Sequence, residues 1–382
     1  KKYAYVDNLP LAISFITFTA IATIIDTKFK KHNEELNIKN FTEFLVYFPQ
    51  LIAGPILRVK QLIPQLKNRI VIDKSNIKFG LILFTVGFIK KIFLADSIAS
   101  YIDPFFVSSD TNPDDIIKCF LLFPLQIYFD FSGYVDMAIG ASTILGINLP
   151  QNFDKPYLSK SLTEFWRNWH ITLSSWFRDY LYIPLGGSRK SKKKLFFNLI
   201  LVMSVAGLWH GASLNFVLWG FLNGLILFLE KIIGKVLNIP TFIKIILTCF
   251  IIFNLWIVFR INEFSQLITF ILEFYSNLNR LYSFENLLIL FILAVGVISQ
   301  KFDNFNQIKR LSRNVPLYIV LPFFIVMILT GLGMNAGTSE KFIYFELCKV
   351  IKHMKTIPKL VFVYDNGIQR GVEVMKKMKD LM

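Results

Sequence analysis

The sequence predicts an all-α, polytopic integral membrane protein, and three observations predict it. Of 382 residues, 54% are apolar and only 18% charged, where a soluble domain carries about 25% charged residues. Mean hydropathy is +0.51. The apolar residues fall in runs near the length of a membrane span, with Lys and Arg clustered between them. A net charge of +16 would raise nucleic-acid binding for a soluble chain. Here the clusters suit loops held on the cytoplasmic side, near anionic lipid headgroups, and nucleic acid is not an expected partner.

The elements follow in order. The run Leu9–Ile25 is 17 residues, near the lower limit for a span. The chain begins with Lys1 and shows no signal-peptide pattern, so it is read as starting partway into a longer protein. The stretch 41–57 lies between two basic loops and should enter and leave on the cytoplasmic side, turning at Pro49, Gly54 and Pro55. Irregular backbone at membrane depth is tolerated only where protein covers it or where it lines a cavity. Residues 58–78 carry six Lys or Arg against Asp73, whereas 96–115 carry five Asp and no Lys or Arg. The first is therefore a cytoplasmic loop, the second an external one, and 79–95 cross outward between them.

Residues 116–147 read as one long broken crossing, interrupted by Pro124, Asp130, Gly133 and Asp136. Leu162–Tyr182 is aromatic and amphipathic, which suits a helix at the cytoplasmic interface. The basic run Arg189–Lys194 anchors the chain inside, and the bilayer is re-entered at Leu195. Leu195–Leu229 is too long for one crossing, so a break is expected near Gly211–Asn215. Gly207/Gly211 and Gly220/Gly224 have the four-residue spacing that lets membrane helices approach closely. Further spans are expected at about 241–260, 285–300 and 315–334, with a cytoplasmic loop at Lys301–Arg313. This count leaves Glu340 outside while the tail from Lys349 is basic. Either a crossing is missing from it or residues 341–352 turn back inward.

Cys119, Cys249 and Cys348 lie far apart with no C-x-x-C pair, so neither a disulfide framework nor a metal site is expected. Of the four histidines, His32 and His353 lie in charged, solvated segments. His210, in Gly207-Leu208-Trp209-His210-Gly211, is 15 residues past Leu195, or about 22 Å at 1.5 Å per residue. That places it near or beyond the middle of a hydrocarbon core about 30 Å thick, where an imidazole marks a functional site. His170, in Trp166-Arg167-Asn168-Trp169-His170, can line the same chamber if 148–194 dips in beside the rising helix.

Burial disfavours the charged imidazole, and a neutral one is a competent general base toward a hydroxyl. Acyl transfer from a thioester needs little beyond orientation and donors for the developing oxyanion. The second histidine, Asn168, Ser174 or Trp indole N–H groups can supply those. Spacing alone leaves a proton relay in a transporter open, although no internal repeat is present. Asp130 and Asp136 either orient a histidine and shape a donor channel, or cap helix ends and pair with an Arg such as Arg167 or Arg178. The structural role is favoured.

At these residues the sequence resembles the membrane-bound O-acyltransferase family, in its bacterial alginate O-acetyltransferase branch. The matching stretches are Leu9–Phe15, Phe48–Pro55, Asp130–Gly140, Phe165–His170, Arg178–Gly187, Gly207–Ala212 and Phe342–Phe345, in family order. The resemblance implies a ring of transmembrane and re-entrant helices around a central pore, in a domain over 1–347 that lacks N-terminal helices of the family. Residues 348–382 would be a basic extension. It implies His210 as principal catalytic histidine and His170 as the second, with Trp166, Arg167, Asn168, Trp209 and Asp136 as substrate-binding residues. It further implies acetyl-CoA as donor, no bound cofactor, and a separate extracytoplasmic acetyltransferase partner. The acceptor would be an alginate-like polysaccharide or peptidoglycan, and the location the cytoplasmic membrane. The teichoic-acid D-alanylation branch, with a carrier-protein donor, is the alternative.

Overall fold

A computed structural model describes residues 13–334 except 33, 35, 52–53, 69–71, 108–111, 190, 234–238 and 304. The Phe342–Phe345 motif and the expected 348–382 extension lie outside the described residues. The described chain is helical, and its only extended pairing is an isolated bridge between Phe153 and Trp169.

Four helices open the chain: α1 (Ile13–Lys28), α2 (Ile38–Leu45), α3 (Phe48–Leu51) and α4 (Val59–Lys67). The backbone is non-helical at Gly54 and Pro55 as expected, whereas Pro49, also expected to break the chain, lies inside the short α3, where the first turn of a helix tolerates proline. A Cβ on Gly54 would collide with the backbone of Pro49 and Gln50, so the turn requires glycine. Then α5 (Lys74–Phe88) begins on Asp73, whose carboxylate accepts from the Asn76 N–H at 2.6 Å.

Here the structure departs from the sequence reading. α5 does not end in an external loop; it runs through a π-helical stretch, Ile89–Ala95, into α6 (Asp96–Val107). Acidic residues do not by themselves end a helix. The π stretch instead turns Lys90 and Lys91 toward the next helix, where carboxylates wait.

That helix, α7 (Pro113–Ile144), is a second correction: the expected broken crossing is one uninterrupted helix of 32 residues. Asn112 caps it, Pro113 occupies its first turn, and Asp114 and Asp115 complement its dipole. Asp130 and Asp136 do not break it, because Lys91 and Lys90 hold them at 2.7 and 2.6 Å. These lysines, not the expected Arg167 or Arg178, are their partners. Gly133 proves to be a contact point, since a Cβ there would meet the Gly87 carbonyl on α5. Gly80 and Gly140 repeat the arrangement two turns away.

The expected amphipathic helix 162–182 is also divided. α8 (Leu162–Asn168) and α9 (Ile171–Phe177) are separated at His170, and a π-helical stretch, Arg178–Tyr182, follows. Trp169 and Trp176 are buried in protein rather than at an interface. α10 (Lys192–His210) and α11 (Leu214–Ile233) match the expected pair and its break closely. Their glycines do what the spacing predicts: a Cβ on Gly207, Gly220 or Gly224 would strike the backbone of the facing helix.

α12 (Thr241–Arg260), α14 (Phe284–Ser299) and α16 (Leu317–Met334) correspond to the three later spans. α13 (Phe264–Ser276) and α15 (Phe305–Asn314) were not anticipated. Among the described residues, three helices, α7, α11 and α12, are long and apolar enough to cross a membrane. Of the apolar windows in these, 78% of α7 is buried against 28% and 39% for the other two, so α7 is the interior post. The outer helices expose Phe197, Ile246, Phe291 and Leu329, an apolar surface that water would penalise and lipid accommodates.

Candidate active site

The α10–α11 hairpin carries the first imidazole. His210 ends α10, one residue before Gly211 lets the chain turn. Its ring meets Phe259 edge-on at 4.9 Å and Trp219 at 5.5 Å, with the Trp209 ring 4.6 Å away. As expected, protein surrounds the His210 ring, which aromatic side chains wall in, while its position at the helix end leaves part of the residue's surface open. Lying at a helix end rather than mid-helix, it has no following turn to cover it.

His170 is the buried member, 3% exposed. It sits between α8 and α9 in the left-handed region, φ 44° and ψ 55°, which costs a non-glycine residue about 1–3 kcal/mol. Local hydrogen bonds hold it there. The Ile171 N–H donates to the Asn152 carbonyl at 3.0 Å, and the Ser174 N–H to the His170 carbonyl at 2.9 Å. The ring packs edge-on against Phe131 at 4.7 Å, and the Trp209 ring is 6.4 Å away. Burial pushes the His170 imidazole down to about 3, with His210 close enough to add to the effect, so it is uncharged.

Trp209 is therefore a neighbour of both histidines, with the Phe18 ring stacked on it at 5.5 Å. Around this core several buried polar atoms have no hydrogen-bond partner: His170 Nε2, Trp209 Nε1, Trp219 Nε1 and Asn152 Nδ2. Each such group costs about 1–3 kcal/mol. A cluster of them beside a partly open imidazole is what a site for a polar ligand looks like before it is filled. The arrangement offers a lone pair and two indole donors within one aromatic enclosure.

The remaining expected residues are placed as follows. Trp166 donates to Asn223 Oδ1 at 3.1 Å and backs Trp219 at 5.6 Å, one layer behind His210. Asn168 donates to Ser159 Oγ at 3.1 Å, which commits its amide to the 156–161 turn. Arg167 is exposed on α8. Asp136 accepts from Lys90, and the cavity beside it is about 10 Å³, room for no more than one water. A cavity of about 110 Å³, lined by charged groups including Lys31, Arg58, Lys60 and Asp179, lies apart from both imidazoles. Sequence reasoning missed Asn152, Trp219 and Phe259. Asn152 had a signal, a polar residue between Pro150 and Pro156 directly after an apolar run; the other two had none, being aromatics in aromatic-rich helices.

Comparison with known proteins bears on the family of the chain. Residues 10–269 match the model of the membrane-bound O-acyltransferase family. The chain is 43% identical over 255 residues to the probable alginate O-acetylase AlgI of Pseudomonas putida, covering 66% of this chain and 52% of that protein. It is 39% identical over 252 residues to the peptidoglycan O-acetyltransferase of Helicobacter pylori, covering 58% and 47%. With the teichoic acid D-alanyltransferase of Bacillus subtilis it shares 28% identity over 239 residues, covering 58% and 60%. The chain spans about half the length of the alginate O-acetylases it matches.

Proposed function

The chain belongs to the membrane-bound O-acyltransferase family, and from that premise we propose that it is an O-acetyltransferase of cell-envelope polysaccharide in the cytoplasmic membrane. The donor is a cytoplasmic thioester, acetyl-CoA, reached from the side carrying the basic clusters. The final acceptor, an alginate-like polymer or peptidoglycan, lies on the other face, where an extracytoplasmic acetyltransferase partner finishes its O-acetylation. The helices surround the passage through which the acetyl group moves. The higher identity to the alginate and peptidoglycan enzymes than to the D-alanyltransferases supports acetyl over D-alanyl transfer.

One observation carries the chemistry: His170 and His210 face the same indole, Trp209, amid polar atoms that lack partners. His210, the partly open imidazole, is the general base. It takes the proton of the attacking hydroxyl as the new C–O bond forms at the thioester carbonyl. The C–S bond then breaks, and the thiolate leaves with the proton that the imidazolium returns. The Trp209 and Trp219 indole N–H groups face the oxygen that gains charge in between. His170 is the partner imidazole that keeps the enclosure polar and uncharged.

For His210→Ala the expected result is polysaccharide O-acetylation reduced about 10²- to 10⁴-fold, the range of general-base catalysis, with normal protein in the membrane. Acetyl ester released from the polymer by mild base measures it. Retained acetylation would remove His210 from the reaction.

A further inference from the structure

We propose that Asn152 is a positioning residue that sets the tautomer of His170, holding the proton on Nδ1 and leaving the Nε2 lone pair toward the enclosure. The proposal rests on His170 serving the acyl transfer described above. It starts from the amide's orientation, which its neighbours decide. The Thr172 backbone N–H points at the Asn152 side chain at 2.9 Å, and only the oxygen of an amide can accept it. The Thr172 hydroxyl accepts from the Ile56 N–H at 2.9 Å and gives its own proton to the same Asn152 Oδ1, also at 2.9 Å. Turning the amide over would set Nδ2 against the Thr172 N–H, donor against donor, and that bond decides the orientation.

With Oδ1 so placed, the atom 3.4 Å from it is His170 Nδ1. Oδ1 already takes both Thr172 protons, so this is a long third contact: a bare Nδ1 would turn its lone pair toward a negative oxygen, whereas an N–H there is attracted to it. A neutral imidazole carries one proton, so Nε2 is bare. Nε2 is also the ring nitrogen without a partner. The left-handed backbone of His170 aims the ring, and the Asn152 amide orders its protons.

The backbone of Asn152 and its neighbours is held as well, independently of the two side-chain bonds to Thr172. The Asn152 carbonyl accepts from Ile171, Phe153 bridges Trp169, and the Asp154 N–H donates to the Asn168 carbonyl at 3.0 Å. Segment 152–154 is thus zipped to 168–171 by backbone, and an altered side chain at 152 changes the proton arrangement before it changes the fold. The charged and titratable groups around the pair are His210 across Trp209 and, beside Asn152, Asp136, Lys90 and Asp303.

Nitrogen NMR of the full chain in lipid bilayers, with histidine labelled at both ring nitrogens, reads the tautomer directly. The His170 signals are those absent from His170→Gln. Wild type should show Nδ1 protonated and Nε2 bare; Asn152→Ala should lose the preference and show both forms. A protonated Nε2 in wild type, or an unchanged tautomer in Asn152→Ala, would overturn the assignment. Should that variant fail to accumulate, Asn152→Asp keeps the acceptor and places a carboxylate beside Nδ1. His170 should then become protonated at a pH higher by one unit or more, and an unmoved titration would count against the proposal.

Transfer from radiolabelled acetyl-CoA completes the test: Asn152→Ala should lower kcat about 10- to 100-fold with KM for the thioester unchanged, and Asn152→Asp should restore it near neutral pH. An unaltered kcat in Asn152→Ala overturns the positioning role. A wild-type chain that transfers no acetyl from the thioester, yet shows the stated tautomer, overturns the function proposed above and leaves the tautomer assignment standing.

Discussion

Lys90 shows how one side chain can decide whether a helix survives. Its ammonium reaches Asp136 at 2.6 Å and Asp303 at 2.5 Å, and the Tyr128 hydroxyl donates to the same Asp303 oxygen at 2.5 Å. All three charged side chains are largely buried, with exposures of 8%, 17% and 15%. Removing the cation leaves two carboxylates without a counter-charge in protein interior, which costs about 3–5 kcal/mol. Lys90→Met should therefore lower the thermal unfolding temperature in detergent, and Lys90→Met with Asp136→Asn should recover part of the loss. Unchanged melting of the single variant would show the cluster to be solvated. In the sequence Asp136 was visible as an ionisable residue at membrane depth, but its partner was not. Lys90 and Asp136 are 46 positions apart, and nothing local links them.

At the level of helices, glycine spacing carried different amounts of information in two places. Gly207, Gly220 and Gly224 lie in two helices joined by a three-residue turn, so closeness in sequence already implies an antiparallel pair. Their packing was legible. Gly80 and Gly87 on α5, and Gly133 and Gly140 on α7, make an equally close crossing, but their pairing spans more than forty residues. Gly133, seen alone between two Asp, reads as a helix breaker. Substituting Gly220 by Val would drive a side chain into the Met203 carbonyl, and overpacking of this kind costs about 1–3 kcal/mol. We expect Gly220→Val to lower the unfolding temperature and reduce membrane levels, and Gly187→Ala, which adds a Cβ only in loose contact with Tyr182, to do so less through packing than through its positive φ. Equal levels for Gly220→Val and wild type would mean that the hairpin opens without penalty.

For the molecule as a whole, orientation in the membrane follows from where charge collects. Ser191 caps α10 at the start of the basic run, and it is exposed. A cysteine placed there should be shielded from an impermeant thiol reagent in intact cells and react once the membrane is opened. Labelling from outside would invert every assignment of donor and acceptor side. The same orientation puts His210, at the far end of the 19-residue α10, about 27 Å from that face along the helix axis. With the orientation and donor proposed above, a thioester from the cytoplasm would travel most of the bilayer's depth to meet it.

Composition and run length were enough to establish a helical membrane protein, and loop charge was enough to propose its sidedness, because both depend on sums over many residues and not on any one contact. The breaks around Gly54 and Gly211 could be read for a similar reason: glycine and proline act on the backbone beside them. Whether Asp130, Gly133 and Asp136 interrupt α7 depended instead on lysines and glycines from another helix. Which imidazole is partly open and which is buried likewise followed from folding, since a ring's surroundings come from segments distant in the chain. Asn152 belongs with these: an unremarked polar residue until three segments meet around it, when its oxygen becomes the atom that orders the protons of His170.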